Sequence, residues 1–328
     1  MNEIRLGTIG SGVIVHSILD GVTATDGISL EAVYSRSEEK GRRLAEEYGA
    51  AKVYTDLDAL FSDEAVNFIY VASPNSLHYE QTRRALLSGK NVICEKPFCT
   101  HGAQVRELLG LARERHLFLI DATPTAFLPN FEILKRQLPA IGPVRLVQAS
   151  YCQYSGRYDQ VLAGETPNMF NPAFAGGCLQ DINYYNVYLS VALFGRPKAA
   201  EYYPNICRTG VDSSGVVVLR YPGFVSENTG AKDTWGVNAV QIQGEKGYIY
   251  VENGANGIQS VRVVTREGET LLNEQPNPDR WYYEVQNLTR CVLSGGYDAL
   301  YAQLETAADV IDVIEDVRTR AGIRFAGE

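Results

Sequence analysis

The first 122 residues alternate short apolar runs with helical segments, and no other feature constrains the fold as strongly. The runs are apolar throughout rather than on one side only, which is typical of strands in a parallel sheet covered by helices on both faces. The N-terminal part therefore predicts a doubly wound α/β domain. The predicted strands are Ile4–Ile9, Leu30–Tyr34, a short one at Val53, Phe68–Val71, Asn91–Cys94 and Leu117–Ile120.

The pattern changes after Gly142-Pro143, where runs of alternating polarity are separated by glycine-rich turns. This pattern predicts a second domain of α+β type with a large, open and mostly antiparallel sheet. We therefore expect one domain over residues 1–122 and another over residues 123–328. Strands are predicted at Val144–Tyr151, Gly215–Tyr221, Ala239–Gln243, Tyr248–Glu252 and Ser260–Thr265, and long helices at Asp181–Phe194, Tyr282–Leu293 and Ala299–Ala321.

Charge and composition exclude several classes of partner. The formal net charge is -9, so nucleic acid is not expected as a partner. No apolar run approaches the ~20 residues that a membrane-spanning helix needs, and no secretory leader is evident, so we expect a cytoplasmic protein without membrane contact. The six cysteines and four histidines show no metal-ligand spacing, so no metal site is predicted.

The first strand runs into a glycine-rich turn, Gly10-Ser11-Gly12-Val13-Ile14. Gly10 permits a tight turn, and Gly12 leaves room for a pyrophosphate at the N-terminus of the following helix, where free amides favour anions. Val15 occupies the third glycine position of the full dinucleotide fingerprint. The position of the motif, at the first strand-helix junction of a doubly wound domain, favours a dinucleotide site over a generic turn.

The end of the second strand decides which dinucleotide is expected. A carboxylate here would bind the 2'-hydroxyl of NAD, but the chain has Ser35-Arg36-Ser37. The Arg36 guanidinium suits a 2'-phosphate, and Ser35 offers a hydroxyl. We therefore predict NADP as the preferred cofactor. The alternative is NAD, with Arg36 a solvated surface residue.

Three further motifs occur in order along the chain: Val71–His78 after the fourth strand, Glu95-Lys96-Pro97 after the fifth, and Gly176–Asp181 in the second half. Together with the glycine turn they resemble the glucose-fructose oxidoreductase, inositol dehydrogenase and rhizopine-catabolism (Gfo/Idh/MocA) family of NAD(P)-dependent oxidoreductases, over essentially the whole chain. The resemblance points to the glucose-fructose oxidoreductase and dihydrodiol dehydrogenase branch.

The resemblance implies roles for residues at the two strand ends. The loop that holds Ser73, Pro74, Asn75 and His78 would run along the cofactor near the nicotinamide ribose. Lys96 would project toward both nicotinamide and substrate, and Glu95 would hold nearby backbone or ribose. Without the other motifs, residues 95–97 would be read as an ordinary strand exit ended by proline.

In the second domain the resemblance carries the catalytic acid/base position onto Tyr185 and a supporting carboxylate onto Asp181. On an α-helix these two residues, four apart, share one face. Asn183 stands where the family pattern has glycine, a departure that would alter the approach of this helix. Tyr184 and Tyr188 are interpreted as a packing stripe.

This pair of residue types suits alcohol oxidation. A tyrosine hydroxyl ionises near about 10, and an adjacent ammonium such as Lys96 favours the phenolate. The same ammonium stabilises a developing alkoxide. Asp181 then positions the lysine or binds a substrate hydroxyl.

Substrate contacts are expected from Tyr154, Arg157 and Asn168, since aromatic rings mixed with amides and an arginine suit a polyhydroxylated ligand. The alternative is that this stretch is an exposed, partly ordered loop. Between Asp121 and Phe127, Pro124 and Ala126 stand where dihydrodiol-dehydrogenase-like relatives tend to carry Trp and Arg, which separates the chain from their specific substrate.

The sequence thus predicts an NAD(P)-dependent oxidoreductase that moves hydride between nicotinamide and a sugar, polyol or related hydroxy compound. The alternatives are a dinucleotide-binding ligand sensor without turnover, and an enzyme that uses bound NAD for lyase or glycoside cleavage. A small molecule is the expected substrate, and an open sheet face predicts a homodimer or homotetramer.

Overall fold

The computed structural model describes residues 2–328, which form two compact units. The first unit contains the chain up to residue 99 together with residues 103–123 and 279–308. The second unit contains residues 100–102, 124–278 and 309–328. Residues 279–308, which sequence reasoning placed in the second domain, therefore group by their contacts with the first unit.

The first unit holds a six-stranded parallel sheet in the order β3-β2-β1-β4-β5-β6. This order, in which the chain winds outward from β1 in both directions, confirms the predicted doubly wound fold. The central strands are fully buried, as their continuous apolar sequences require. The strands are β1 Ile4–Ile9, β2 Ile28–Tyr34, β3 Lys52–Tyr54, β4 Phe68–Val71, β5 Asn91–Glu95 and β6 Leu119–Ala122.

The second unit holds an eight-stranded sheet in the order β14-β13-β12-β11-β7-β10-β9-β8. The central pair β7 and β10 is parallel and its neighbours pair antiparallel, which confirms the predicted mostly antiparallel sheet. The strands are β7 Val144–Cys152, β8 Ala199–Ile206, β9 Asp212–Tyr221, β10 Phe224–Ala231, β11 Ala239–Gly244, β12 Gly247–Glu252, β13 Ser260–Thr265 and β14 Gly268–Leu272.

Helices α8, α10 and α11 lie close to the predicted segments, and the second unit has three additions, α6, α7 and α9. No helix in residues 2–328 combines the length and apolar character needed to cross a membrane. The helices are α1 Val13–Thr23, α2 Glu38–Tyr48, α3 Leu57–Ser62, α4 His78–Leu87, α5 Gly102–Arg115, α6 Pro129–Gln137, α7 Gly156–Leu162, α8 Tyr184–Phe194, α9 Gly254–Gly257, α10 Arg280–Leu293 and α11 Tyr297–Arg320.

Helix α10 belongs to the first unit because it packs along α1. The contact is close at Gly21, where an added Cβ would lie 2.9 Å from the Val285 side chain. Such a long-range helix pair leaves no local trace in the sequence, so the sequence pattern alone does not group residues 279–308 with the first unit.

Strand β10 was not predicted because its inward-facing side chains are polar. Ser226 and Asn228 are fully buried. The hydroxyls of Ser190 and Ser226 lie 2.9 Å apart, and Ser190 also donates to Asn228 at 2.9 Å. These contacts satisfy the polar groups in the core, so the strand forms without the apolar alternation that usually identifies one.

Candidate active site

The glycine turn after β1 has the geometry that a tight strand-helix junction needs. Gly10 has a φ of 122°, and an added Cβ would lie 2.6 Å from the carbonyl oxygen of Ala72. The amide of Ala72 in turn donates to the Ile9 carbonyl at 2.9 Å. Only glycine fits this position, because both the backbone conformation and the space exclude a side chain.

The N-terminus of α1 is open toward solvent. Gly12 is the N-cap residue, and an added Cβ there would meet no atom within 4 Å. The first turn carries no acidic side chain. Ser11 and Ile14 are half-buried and Val13 is exposed, whereas Val15, at the third glycine position, is fully buried. The free amides of this turn can therefore receive an anion.

The end of β2 places a cation beside this turn. Ser35 is buried, and its hydroxyl accepts a hydrogen bond from the Ser37 amide at 3.2 Å. Ser37 caps α2 by accepting from the Lys40 amide at 3.4 Å. Between them Arg36 is exposed and makes no hydrogen bond or ion pair with the described residues. Its guanidinium is available for a phosphate.

The loop after β4 is joined to the end of β5 through His78. The imidazole is buried, and its two nitrogens lie 3.0 Å from the Pro97 carbonyl oxygen and 2.8 Å from the Ser73 carbonyl oxygen. Burial lowers the pKa of His78, and a neutral ring donates to one of the two carbonyls. Pro74 and Asn75, half-buried, begin a 3₁₀ turn in front of α4.

Lys96 follows β5 at the carboxyl end of the parallel sheet, where ligands of such sheets bind. Its side chain is half-buried, and the Lys96–Pro97 peptide bond is cis. Lys96 thus lies at the carboxyl-terminal edge of the sheet, directly after β5, whereas the side chain of Glu95, the last residue of β5, is buried in the interior.

Glu95 lies in a buried acidic cluster that sequence reasoning missed. Its carboxylate accepts a hydrogen bond from the Tyr70 hydroxyl at 2.7 Å. Burial raises the pKa of Glu95 to about 7, opposed in part by Tyr70 and by the Lys96 ammonium. Glu284 on α10 is fully buried and neither of its oxygens accepts a hydrogen bond from the described residues. Burial and repulsion from Glu95 raise the pKa of Glu284 well above its usual range.

The residues of the first unit fit a dinucleotide. The turn at Gly10 and Gly12 leaves the α1 amides open, and Arg36 has no partner in the described chain. The Ser73 hydroxyl is buried without a hydrogen-bond partner, so a ligand group beside it would satisfy a polar atom that the protein leaves unpaired.

In the second unit the glycine pair before the Leu179–Asn183 segment is required by packing. An added Cβ on Gly176 would lie 2.7 Å from the backbone carbonyl of Met169, and one on Gly177, at φ 126°, would overlap Asp212. Asp212 is buried and accepts from the Leu179 amide at 2.6 Å and from the Tyr202 hydroxyl at 2.6 Å. This carboxylate thereby fixes the start of the helical segment that follows.

That segment is not a regular α-helix. Residues Leu179–Asn183 form a π-helix, and α8 begins at Tyr184. Single π-helical turns inside α-helices are frequent at functional sites.

Tyr185 is buried, and its ring lies 5.8 Å from the ring of Tyr151 on β7. Tyr184 and Tyr188 are also buried, with ring centroids 6.0 Å apart. This contact confirms the predicted packing stripe.

The contacts of Asn183 account for an asparagine at the position where the family pattern has glycine. Its amide donates to the Asn228 carbonyl at 3.0 Å and its oxygen accepts from Asn186 at 3.0 Å. The side chain lies against Gly230, where an added Cβ would be 2.6 Å from the Asn183 Cβ. The asparagine therefore ties the π-helix to β10, and a glycine on the strand makes room for it.

Asp181 pairs with a residue that sequence reasoning missed. The Lys232 ammonium forms an ion pair with the Asp181 carboxylate. Lys232 follows β10 in a segment with no recognisable motif, and its distance of 51 residues from Asp181 leaves no local signal in a single sequence. The Asp181 carboxylate thus has a lysine partner within its own unit.

The predicted substrate stretch is more ordered than the loop alternative supposed, because residues 156–162 form α7. The Tyr154 hydroxyl donates to Asp159 at 2.7 Å, and its ring stacks on Trp235 at 5.9 Å. Arg157 and Asn168 are exposed. Trp235, with 75% of its surface exposed, is a further aromatic face that the sequence reading did not include.

Comparison with known proteins decides the family. Residues 4–122 match the Gfo/Idh/MocA oxidoreductase family, NAD-binding Rossmann fold, and residues 138–250 match a Gfo/Idh/MocA C-terminal domain. The chain is 41% identical to the oxidoreductase YgjR of Escherichia coli over 326 residues, which is 99% of this chain and 98% of that protein. This chain belongs to the Gfo/Idh/MocA family. It is therefore an NAD(P)-dependent oxidoreductase, as the motifs predicted.

Two further relatives and one structure extend the comparison. The chain is 33% identical to the NADP-dependent scyllo-inositol 2-dehydrogenase IolU of Bacillus subtilis, over 99% of both chains. It is 28% identical to human trans-1,2-dihydrobenzene-1,2-diol dehydrogenase, over 90% of this chain and 89% of that one. The fold matches the 3-ketoreductase KijD10 of Actinomadura kijaniata, with a TM-score of 0.84, 23% identity and coverage of 97% and 98%.

Proposed function

We propose that this protein is an NADP-preferring dehydrogenase or reductase of a sugar, a polyol or a related hydroxy compound. The observation that carries the proposal is the whole-length similarity, at 33% identity, to an NADP-dependent inositol dehydrogenase in a chain that has both Lys96 and Tyr185. A further relative, the NADP-dependent D-xylose 1-dehydrogenase of Hypocrea jecorina, is 28% identical over 93% of this chain and 87% of its own.

The roles of the protein groups follow from the chemistry of alcohol oxidation. The nicotinamide, when bound, accepts or gives the hydride. Tyr185 takes the hydroxyl proton in oxidation and returns it in reduction. Lys96 favours the phenolate of Tyr185 and stabilises negative charge on the substrate oxygen. Asp181 accepts a hydrogen bond from a substrate hydroxyl, and the aromatic and polar residues Tyr154, Arg157 and Asn168 contribute to binding.

The cofactor site is proposed to hold the pyrophosphate at Gly10–Ile14 and the nicotinamide half along Ser73–His78, with Glu95 and Lys96 at the end of β5. His78 acts by holding the loop to the Pro97 carbonyl. Arg36 binds the 2'-phosphate, supported by its exposure and its lack of a partner.

Turnover with a panel of inositols, aldoses and dihydrodiols, followed by nicotinamide absorbance, tests the proposal. We expect NADP-linked turnover of at least one cyclic polyol or sugar. Tyr185→Phe should lower kcat by ~100-fold or more while the Kd for NADP stays unchanged, and Lys96→Met should lower kcat by a similar factor. Tyr188→Phe, which keeps the packing ring, is the matched control. Cofactor and ligand binding without turnover of any compound would favour the sensor alternative instead.

The choice of dinucleotide has its own test. Arg36→Ala should weaken NADP binding by ~10- to 100-fold and leave NAD binding unchanged, because only NADP carries the phosphate. Arg43→Ala, an exposed arginine on α2 that pairs with Glu39, is the control. Equal losses for both cofactors would contradict the assignment of Arg36.

The open face of the second-unit sheet supports a proposed homodimer or homotetramer. Tyr203 on β8 is 61% exposed and Val225 on β10 is 36% exposed, and apolar side chains on such a face are commonly covered by another subunit. Light scattering of the wild type and of Val225→Asp tests this assembly. All six cysteines are free thiols, which supports a reducing cytoplasmic location.

A further inference from the structure

Lys232 is an unusual residue for a protein interior. Only 2% of its side chain is exposed, whereas its partner Asp181 keeps 21% of its side chain exposed. The two partners of the ion pair differ in exposure: the lysine is buried, and the carboxylate is partly accessible to solvent. A buried ammonium is costly, and an apolar residue of similar size would often serve stability equally well. Packing alone does not explain a lysine here.

Lys232 also joins the segments that were predicted to bind substrate. Its amide donates to the Ser213 carbonyl at 2.8 Å, and its own carbonyl accepts from the Ser155 amide at 2.9 Å. Ser155 is the N-cap of α7, next to Tyr154. The ammonium lies 5.0 Å from the centre of the Phe170 ring, in the segment before the glycine pair. One residue therefore connects α7, the Phe170 segment and Asp181.

The other carboxylates near Lys232 have donors of their own. Asp212 is held by Leu179 and Tyr202. Asp233 accepts from the hydroxyls of Ser213 and Ser214 at 2.6 and 3.0 Å. The Lys232 ammonium is directed to Asp181, the half-exposed member of the group.

We propose that Lys232 is a positioning residue that holds Asp181 oriented to accept a hydrogen bond from a substrate hydroxyl. This inference rests on the proposed function, because it gives Asp181 a hydroxyl-bearing ligand. A fixed carboxylate selects for the hydroxyl that it binds, since a site built to bind a hydroxyl rejects an analogue that lacks it. The substrate class is therefore a compound with a hydroxyl in addition to the reacting alcohol or carbonyl.

The kinetic test compares Lys232→Met, Lys232→Arg, Asp181→Asn and the double variant Lys232→Met/Asp181→Asn. Lys232→Met should raise the KM for a polyol by ~10- to 100-fold, with a smaller change in kcat and no change in the Kd for NADP. Lys232→Arg should restore part of the loss. The double variant should be no worse than Asp181→Asn, because the lysine acts through the aspartate. Additive losses, or an unchanged KM, would overturn the inference.

A structural test does not depend on turnover. In a crystal structure of Lys232→Met, or of Lys232→Gln if the methionine variant does not fold, the Asp181 carboxylate should be displaced from its wild-type position. An unmoved carboxylate would refute the role of Lys232 even in an active enzyme. Conversely, a displaced carboxylate in a protein that oxidises no hydroxy compound would refute the proposed function and leave the positioning role established.

Discussion

The two units build their functional segments in opposite ways. In the first unit, the candidate residues follow β1, β2, β4 and β5 of a regular parallel sheet, so the fold delivers them to the same edge. In the second unit, Asp181 lies in a π-helix fixed by Asp212, Asn228 and Lys232, which are 31 to 51 residues further along the chain. The local sequence pattern is enough to predict the strands of the regular sheet, whereas the irregular helix is held by side chains from distant parts of the chain.

The units also treat buried charge differently. The first unit places two acidic side chains, Glu95 and Glu284, in its interior, and Glu284 has no hydrogen-bond donor in the described chain. The second unit gives the Asp181 carboxylate a lysine and the Asp212 carboxylate a backbone amide. Burial raises the pKa values of both first-unit acids, to about 7 for Glu95.

The largest effect is expected at the turn of the first unit. Gly10→Ala should destabilise that unit by ~3 kcal/mol or more, because the methyl group meets the Ala72 carbonyl at a φ of 122°. Gly12→Ala is the matched control, since its Cβ meets nothing within 4 Å. It should leave stability unchanged and weaken only NADP binding. Urea unfolding and cofactor titration measure the two effects, and equal stability losses would remove the distinction between the two glycines.

Next in size is the effect of pH on the buried acids. The folded pKa of Glu95, about 7, lies above the ordinary glutamate value of 4.5, so folding binds a proton between these values. Stability should fall as pH rises from about 4.5 to about 7, where the buried carboxyl must ionise. Glu95→Gln keeps the acceptor for Tyr70 and should remove roughly 3 kcal/mol of that dependence.

Unfolding by urea at several pH values between 5 and 8 measures this difference. The control is Glu114→Gln, at an exposed helix position, which should follow the wild-type curve. Parallel curves for Glu95→Gln and the wild type would show that folding does not raise the pKa of Glu95.

A smaller effect is expected where the second unit packs its helix on β10. Gly230→Ala brings a methyl group against the Asn183 side chain, 2.6 Å from its Cβ, and should destabilise the unit by about 1–2 kcal/mol. Adding Asn183→Gly should relieve part of that loss, because the double variant removes the clash. Thermal unfolding of the four proteins measures the coupling. Strictly additive losses would mean that this helix is not held through β10.

How far each unit was predictable follows from these contrasts. The helix from Glu38 to Tyr48 is encoded locally, because a serine cap, an acidic first turn and a C-terminal glycine mark its two ends. Strand β10 was missed because its buried residues, Ser226 and Asn228, are polar. The π-helix was predicted as a plain α-helix, because nothing in Leu179–Asn183 distinguishes the two without the bond from Leu179 to Asp212.

By itself the sequence determined the doubly wound sheet, the glycine turn and the lysine at the end of β5, since short-range periodicity and turn chemistry encode all three. The family followed from the resemblance of its motifs. Only the tertiary structure shows that Asp181 forms an ion pair with Lys232, that the buried Glu95 and Glu284 carboxyl groups repel each other, and that α10 packs on α1. These pairings join residues far apart in the chain. Long-range packing and burial produce these contacts, and a short segment of sequence does not predict either.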